Sequence, residues 1–118
     1  MPLSPMMTHY FSVKEKYKDC IVFYRLGDFY EMFFDDAVKA SDILGLTLTG
    51  RDCGLKDRAP MCGVPYHAAD VYISKLVNAG EKVAICEQLS APNGKDLVER
   101  QIVRIVSAGT VTNDELID

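Results

Sequence analysis

Four carboxylates, Asp28, Glu31, Asp35 and Asp36, crowd one short stretch of the chain. Clustered acids of this kind are what a divalent-metal nuclease would use. Simpler roles account for most of them. Asp28 follows Gly27 where a turn wants a polar residue, and Asp35 and Asp36 stand where a helix N-terminus favours negative charge. The two histidines, His9 and His67, lie in no nucleophile motif, and no triad can be assembled around them. Cys53, Cys62 and His67 fit no zinc spacing, so no metal ligands are assigned. The glycines form neither a G-x-G-x-x-G nor a G-x-x-x-x-G-K-[ST] loop, which leaves a nucleotide phosphate without a cradle. The chain therefore reads as a non-enzymatic domain with no cofactor of its own.

One pair of residues resists a bland explanation. In the run Phe29-Tyr30-Glu31-Met32-Phe33-Phe34, strand alternation sends Phe29, Glu31 and Phe33 to one face and Tyr30, Met32 and Phe34 to the other. Both faces are otherwise apolar, as in a buried strand. An acid at Glu31 then needs either a partner such as Arg25 or exposure near a hairpin tip. By residue type alone Phe29 reads as a core ring. Exposure of Glu31 would instead place an aromatic surface beside an acid.

The elements that must position this pair can be laid out from the pattern. Ser4-Pro5 forms an N-cap and first helical residue, and a helix is predicted to about Tyr17. Cys20–Leu26 and Phe29–Phe34 read as a hairpin joined by Gly27-Asp28 in a type II′ turn, its strands central in a sheet. Asp35 or Asp36 is predicted to cap a second helix ending at Gly45, followed by a short strand over Leu46–Thr49 and an exposed loop from Gly50 to Pro60. Met61–Val64 reads as a further strand, Ala68–Asn78 as a third helix, and Lys82–Gln88 and Gln101–Ser107 as strands that pair antiparallel. Without a regular βαβ rhythm, the fold class expected is α+β: a single domain, 1–118, with helices packed on a mixed sheet.

Composition agrees. With 118 residues, 48% hydrophobic and 25% charged, the chain is an ordinary globular sequence long enough for a core without staples. Its formal charge of -4 argues against a free-standing, high-affinity nucleic-acid binder, so any DNA contact must be local or assisted. The four cysteines show no C-x-x-C pairing and suit a reducing cytosol; no signal peptide or membrane span is read, and the expected location is cytoplasmic. The polar, acidic close from Thr110 to Asp118 reads as a chain cut at a domain boundary, a piece of a larger protein.

Several ordered runs resemble the amino-terminal mismatch-recognition domain of the bacterial MutS mismatch-repair family. They are Phe23-Tyr24-Arg25-Leu26-Gly27-Asp28-Phe29-Tyr30-Glu31-Met32-Phe33 with Asp35-Asp36-Ala37, then Pro60-Met61-Cys62-Gly63-Val64-Pro65-Tyr66-His67, then Tyr72–Asn78 and Gly80–Gln88. Val98-Glu99-Arg100 and Arg104–Thr110 continue the match, which thus covers nearly the whole chain. The loop Gly50–Ala59 and the segment Ser90–Leu97 look variable.

The resemblance implies that Phe29 wedges into a duplex and stacks on a mispaired or unpaired base, while Glu31 hydrogen-bonds that base. It thereby reverses the composition-based expectation that Phe29 is core. It also implies domains beyond this chain that bind ATP and Mg²⁺, a homodimer, other mismatch-repair partners, and weak binding of mismatched double-stranded DNA by this domain alone. Arg51 and Arg100 are candidate backbone contacts, since arginine suits phosphate. Two rivals stand beside this reading. One is a protein-interaction module built on Phe29, Tyr66 and the loop around Arg51; the other is a nuclease built on the acidic cluster.

Overall fold

A computed structural model describes residues 4–52, 58–89 and 99–109. Ser4 opens the first helix as the sequence predicts: its side chain accepts from the Met7 N–H at 3.2 Å, and Pro5 takes the position where a missing N–H costs nothing. Helix α1 (Pro5–Lys16) leads into strand β1 (Cys20–Leu26), which turns through Gly27-Asp28 into β2 (Phe29–Phe33). Gly27 has φ +61° and Asp28 lies outside the positive-φ region, which matches the predicted type II′ turn.

Helix α2 (Phe34–Leu44) starts with no linker after β2. Phe33 occupies the N-cap position without a side-chain bond, so neither Asp35 nor Asp36 caps the helix. The reversal is carried instead by Phe34, the one described non-glycine residue with positive φ, at 55°. Leaving the strand early also moves its ring: Phe34 stacks on Phe11 of α1 at 5.2 Å, not on the Tyr30 and Met32 side. Asp36 turns inward. Its carboxylate accepts from Lys14 Nζ at 2.9 Å and from the Val22 N–H at 3.0 Å, although burial still pushes its pKa up.

Gly45, at φ 72°, ends α2, and the Leu46 N–H still bonds back to the Ser41 carbonyl. The chain is therefore still turning off the helix where a strand was expected, and β3 forms later, over Thr49–Arg51. β4 (Ala59–Pro65) is longer than predicted at both ends because β3 and β2 pair with its two sides. A 3₁₀ turn (Tyr66–Ala68) precedes α3 (Ala69–Asn78), and β5 (Lys82–Gln88) and β6 (Arg100–Val106) follow.

The sheet has six strands in the order β3-β4-β2-β1-β5-β6. β1 and β5 are parallel and every other neighbouring pair is antiparallel, so the sheet is mixed and the hairpin central, in an α+β fold. Helices α2 and α3 cover one face, packing Ala37, Ala40, Ile73 and Leu76 over Tyr30, Met32, Phe23 and Val64. Helix α1 lies on the other and packs Met7, Tyr10 and Val13 over Val22, Tyr24 and Phe33. A lone helix of 12 residues cannot cover that face of a six-stranded sheet, and among the described residues no other helix covers its upper part, toward the hairpin tip, where Phe29 is exposed.

Candidate nucleic-acid interface

The open part of the face is defined by the register. Leu26 of β1 pairs with Phe29, and Phe29 with Pro65 of β4. Across β5, Gln88 pairs with Arg100. Phe29 is 43% exposed, whereas Phe33, four residues along the same face, is fully buried beneath Tyr10 at a ring-centroid distance of 5.0 Å. The composition-based expectation of a core Phe29 fails because α1 ends its coverage before the tip.

Glu31, between these two rings, is half-buried. Its partner is not Arg25, which pairs with Tyr30 and points to the opposite face. The Glu31 side chain instead lies across β4 at Gly63, its register partner, so closely that a Cβ at Gly63 would stand 2.3 Å from Oε1 and 2.8 Å from Oε2. Desolvation there pushes the Glu31 pKa up, and the charge of Arg51 pulls the other way. Arg51, on β3 opposite Ala59, thus acts electrostatically on Glu31 from the far side of β4.

Arg100 stands on the same face and at the same end of the sheet as Phe29, three strands away, roughly 14 Å at the usual interstrand spacing. Its Nε donates to the Arg25 carbonyl at 2.6 Å and its guanidinium lies 5.2 Å over the Tyr24 ring. It borders a groove of about 250 Å³ between α1 and β6, lined also by His9, Lys16, Tyr17 and Gln101. His9 shares a 2.7 Å hydrogen bond with the Tyr24 hydroxyl, and its pKa is lowered by burial and by Arg100.

The hairpin tip is braced from behind. Arg25 donates to Glu87 of β5 at 2.7 Å and to the Gly27 carbonyl at 2.6 Å, and Tyr30 donates to the other Glu87 oxygen. Burial and that bond hold the Tyr30 hydroxyl up to about 12. The Arg25 guanidinium also lies 4.0 Å over the Tyr66 ring, and the Tyr66 N–H bonds the Asp28 carbonyl at 2.9 Å. No sequence spacing signals this brace, since Glu87 is 62 residues from Arg25. Gly63 did leave a signal: an isolated glycine inside a strand marks a close approach by something else.

The acidic cluster disperses in three dimensions. Asp28 sits in the turn, Glu31 on the open face, Asp35 on the helix surface and Asp36 under Lys14. Among the described residues no group of three His, Cys, Asp or Glu could hold a metal ion; Cys53 lies outside them. Among the described residues, too, no helix is long and apolar enough to cross a membrane.

A flat ring beside a carboxyl group that can donate or accept a proton suits a domain that receives a planar, hydrogen-bonding ligand. Residues 4–115 match the family model for MutS domain I, and the chain belongs to that family. It is 62% identical over 117 residues to the DNA mismatch repair protein MutS of Acetivibrio thermocellus, covering 98% of this chain and 13% of the relative. The proteins of the same name from Ruminiclostridium cellulolyticum and Clostridium botulinum are 61% and 60% identical, over 98% and 100% of this chain. The chain thus spans 13% of the length of these curated relatives.

Proposed function

We propose that this domain senses mismatches in double-stranded DNA for post-replicative repair, with Phe29 as the wedge and Glu31 as the base contact. The observation that carries this reading is the exposed Phe29 ring on the uncovered part of the sheet, beside the half-buried Glu31. Inserting an apolar wedge into the minor groove unstacks and kinks the duplex at a cost of a few kcal/mol per step. A mispaired step is already poorly stacked and yields more easily, so selection rests largely on deformability and needs no base code from the ring.

Glu31 would repel phosphates as an anion. Its pKa is already raised by burial, and nearby phosphates raise it further, so it binds as the neutral acid and donates to a base acceptor. Glu31→Gln then preserves or strengthens binding to intact duplex and loses mismatch preference. Arg51 and Arg100 contribute phosphate contacts at the margins of the face. The rest of a longer, cytoplasmic protein supplies most phosphate contacts, the homodimer partner, the sites for ATP and Mg²⁺, and the surfaces for other repair proteins.

The test compares matched and single-mismatch duplexes bound by the full-length protein that carries this domain, wild type beside Phe29→Ala, at one moderate salt concentration. Loss of the mismatch preference in the variant is expected. Equal selectivity in both would remove the wedge role and favour the interaction-module alternative.

A further inference from the structure

We propose that Gly63 is a specificity-determining residue of this domain: its missing side chain is the seat in which the Glu31 carboxylate lies, and this fixes where the acid meets a base beside Phe29. The inference rests on the reading of Glu31 as the base contact.

Gly63 sits in the interior of β4, between the buried Cys62 and Val64. Glycine there weakens a strand, through lost backbone entropy and lost side-chain packing, so its presence asks for a reason. Backbone conformation is not that reason, because among the described residues the positive-φ glycines are Gly27, Gly45 and Gly80, and Gly63 is not one of them. Its backbone does not lie in the left-handed region that favours glycine. Space is the reason. A Cβ at Gly63 would meet Oε1, Cδ and Oε2 of Glu31 at 2.3, 2.7 and 2.8 Å, well inside contact distance, and those three atoms are its nearest neighbours.

Glu31 is held between Tyr24 of β1 and Gly63 of β4, and Gly63 is itself flanked by the buried Cys62 and Val64, so the flexible end of the Glu31 side chain gives more cheaply than either backbone. A methyl group at position 63 therefore leaves the strands in place, lifts the carboxylate off β4 and changes its height and direction relative to the Phe29 ring. Gly63 is a positioning residue: it touches no base, and acts only through Glu31.

That dependence supplies the test, a double-mutant cycle in the full-length protein. Mismatch preference, matched-duplex affinity and melting temperature are measured for wild type, Gly63→Ala, Glu31→Ala and the double variant. Gly63→Ala is expected to lower mismatch preference by about five- to tenfold when Glu31 is present, and by less than about twofold when Glu31 is already alanine, a coupling of the size seen between touching residues. Melting temperature should not fall in either background, and should rise where Glu31 is already alanine. Equal losses with and without Glu31 would mean that the glycine serves the fold, and would overturn the inference. So would an unchanged preference in Gly63→Ala when Glu31→Ala loses it. If Glu31→Ala itself keeps full selectivity, the base-contact role of Glu31 fails first, and the cycle identifies that failure separately.

Discussion

Phe29 and Phe33 share a strand, a face and a residue type, and differ only in what lies above them: Tyr10 covers Phe33, and nothing described covers Phe29 to the same degree. Removing the Phe29 ring should therefore cost little stability, in keeping with an exposed site, so a binding defect in that variant reports on the interface. Glu31 gives a sharper expectation at this scale. Its pKa is raised in the folded chain, so between the ordinary carboxylate range near ~4.3 and its folded value the native state holds a proton that the unfolded state has released. Stability attached to that proton is present at low pH and lost as pH rises through the window. Glu31→Gln, which carries no charge and fits the same seat, should then be the more stable protein at pH 7, by a fraction of about 1 kcal/mol because the group is only partly buried. The gain should vanish below pH ~4; urea titrations that show the same difference at both pH values would refute it.

Among the elements, the junction of β2 and α2 departs most from what the sequence suggests, and a physical reason is visible. β2 pairs with β1 only over Tyr24–Leu26, so the first half of β1 lacks a neighbour on that side. Asp36 takes the place of the missing strand by accepting the Val22 N–H, and Lys14 of α1 closes the other side of the carboxylate. Asp36→Ala should destabilise the fold by about 1–3 kcal/mol, through the orphaned Val22 N–H and the loss of the carboxylate from Lys14, which keeps the Cys20 carbonyl, as read by urea unfolding. Local chemistry made the hairpin, the Ser4 cap and the Gly45 cap legible, because each depends on residues a few positions apart. Asp36 looked like a cap because its true partners, Lys14 and Val22, are 22 and 14 residues away. The same limit hid which side chain the isolated Gly63 makes room for, and left Arg25, which the register puts on the other face, as the partner considered for Glu31. Alternation alone named the pair Phe29 and Glu31 as odd, but the resemblance to a family was needed to say that Phe29 faces outward.

At the scale of the whole molecule, a net charge of -4 and a short exposed site set the expected strength of DNA binding. The 118-residue chain by itself should bind either duplex no more tightly than the non-specific range of about 10⁻⁴–10⁻⁶ M at physiological salt. Fluorescence anisotropy with matched and mismatched duplexes checks this; nanomolar binding by the isolated chain would show that it carries its own phosphate grip. The ring proposed as the wedge is also mounted in a particular way. Phe29 is flanked on both sides by paired strands, the turn before it is tied to Tyr66, and Arg25, Glu87 and Tyr30 lock the hairpin to β5. Ring and base step act as two springs in series when one presses on the other, and the softer spring takes up nearly all the travel. If Phe29 is the wedge proposed above, a mount tied in this way leaves most of the travel to the duplex, and how far the ring sinks would gauge the compliance of the DNA.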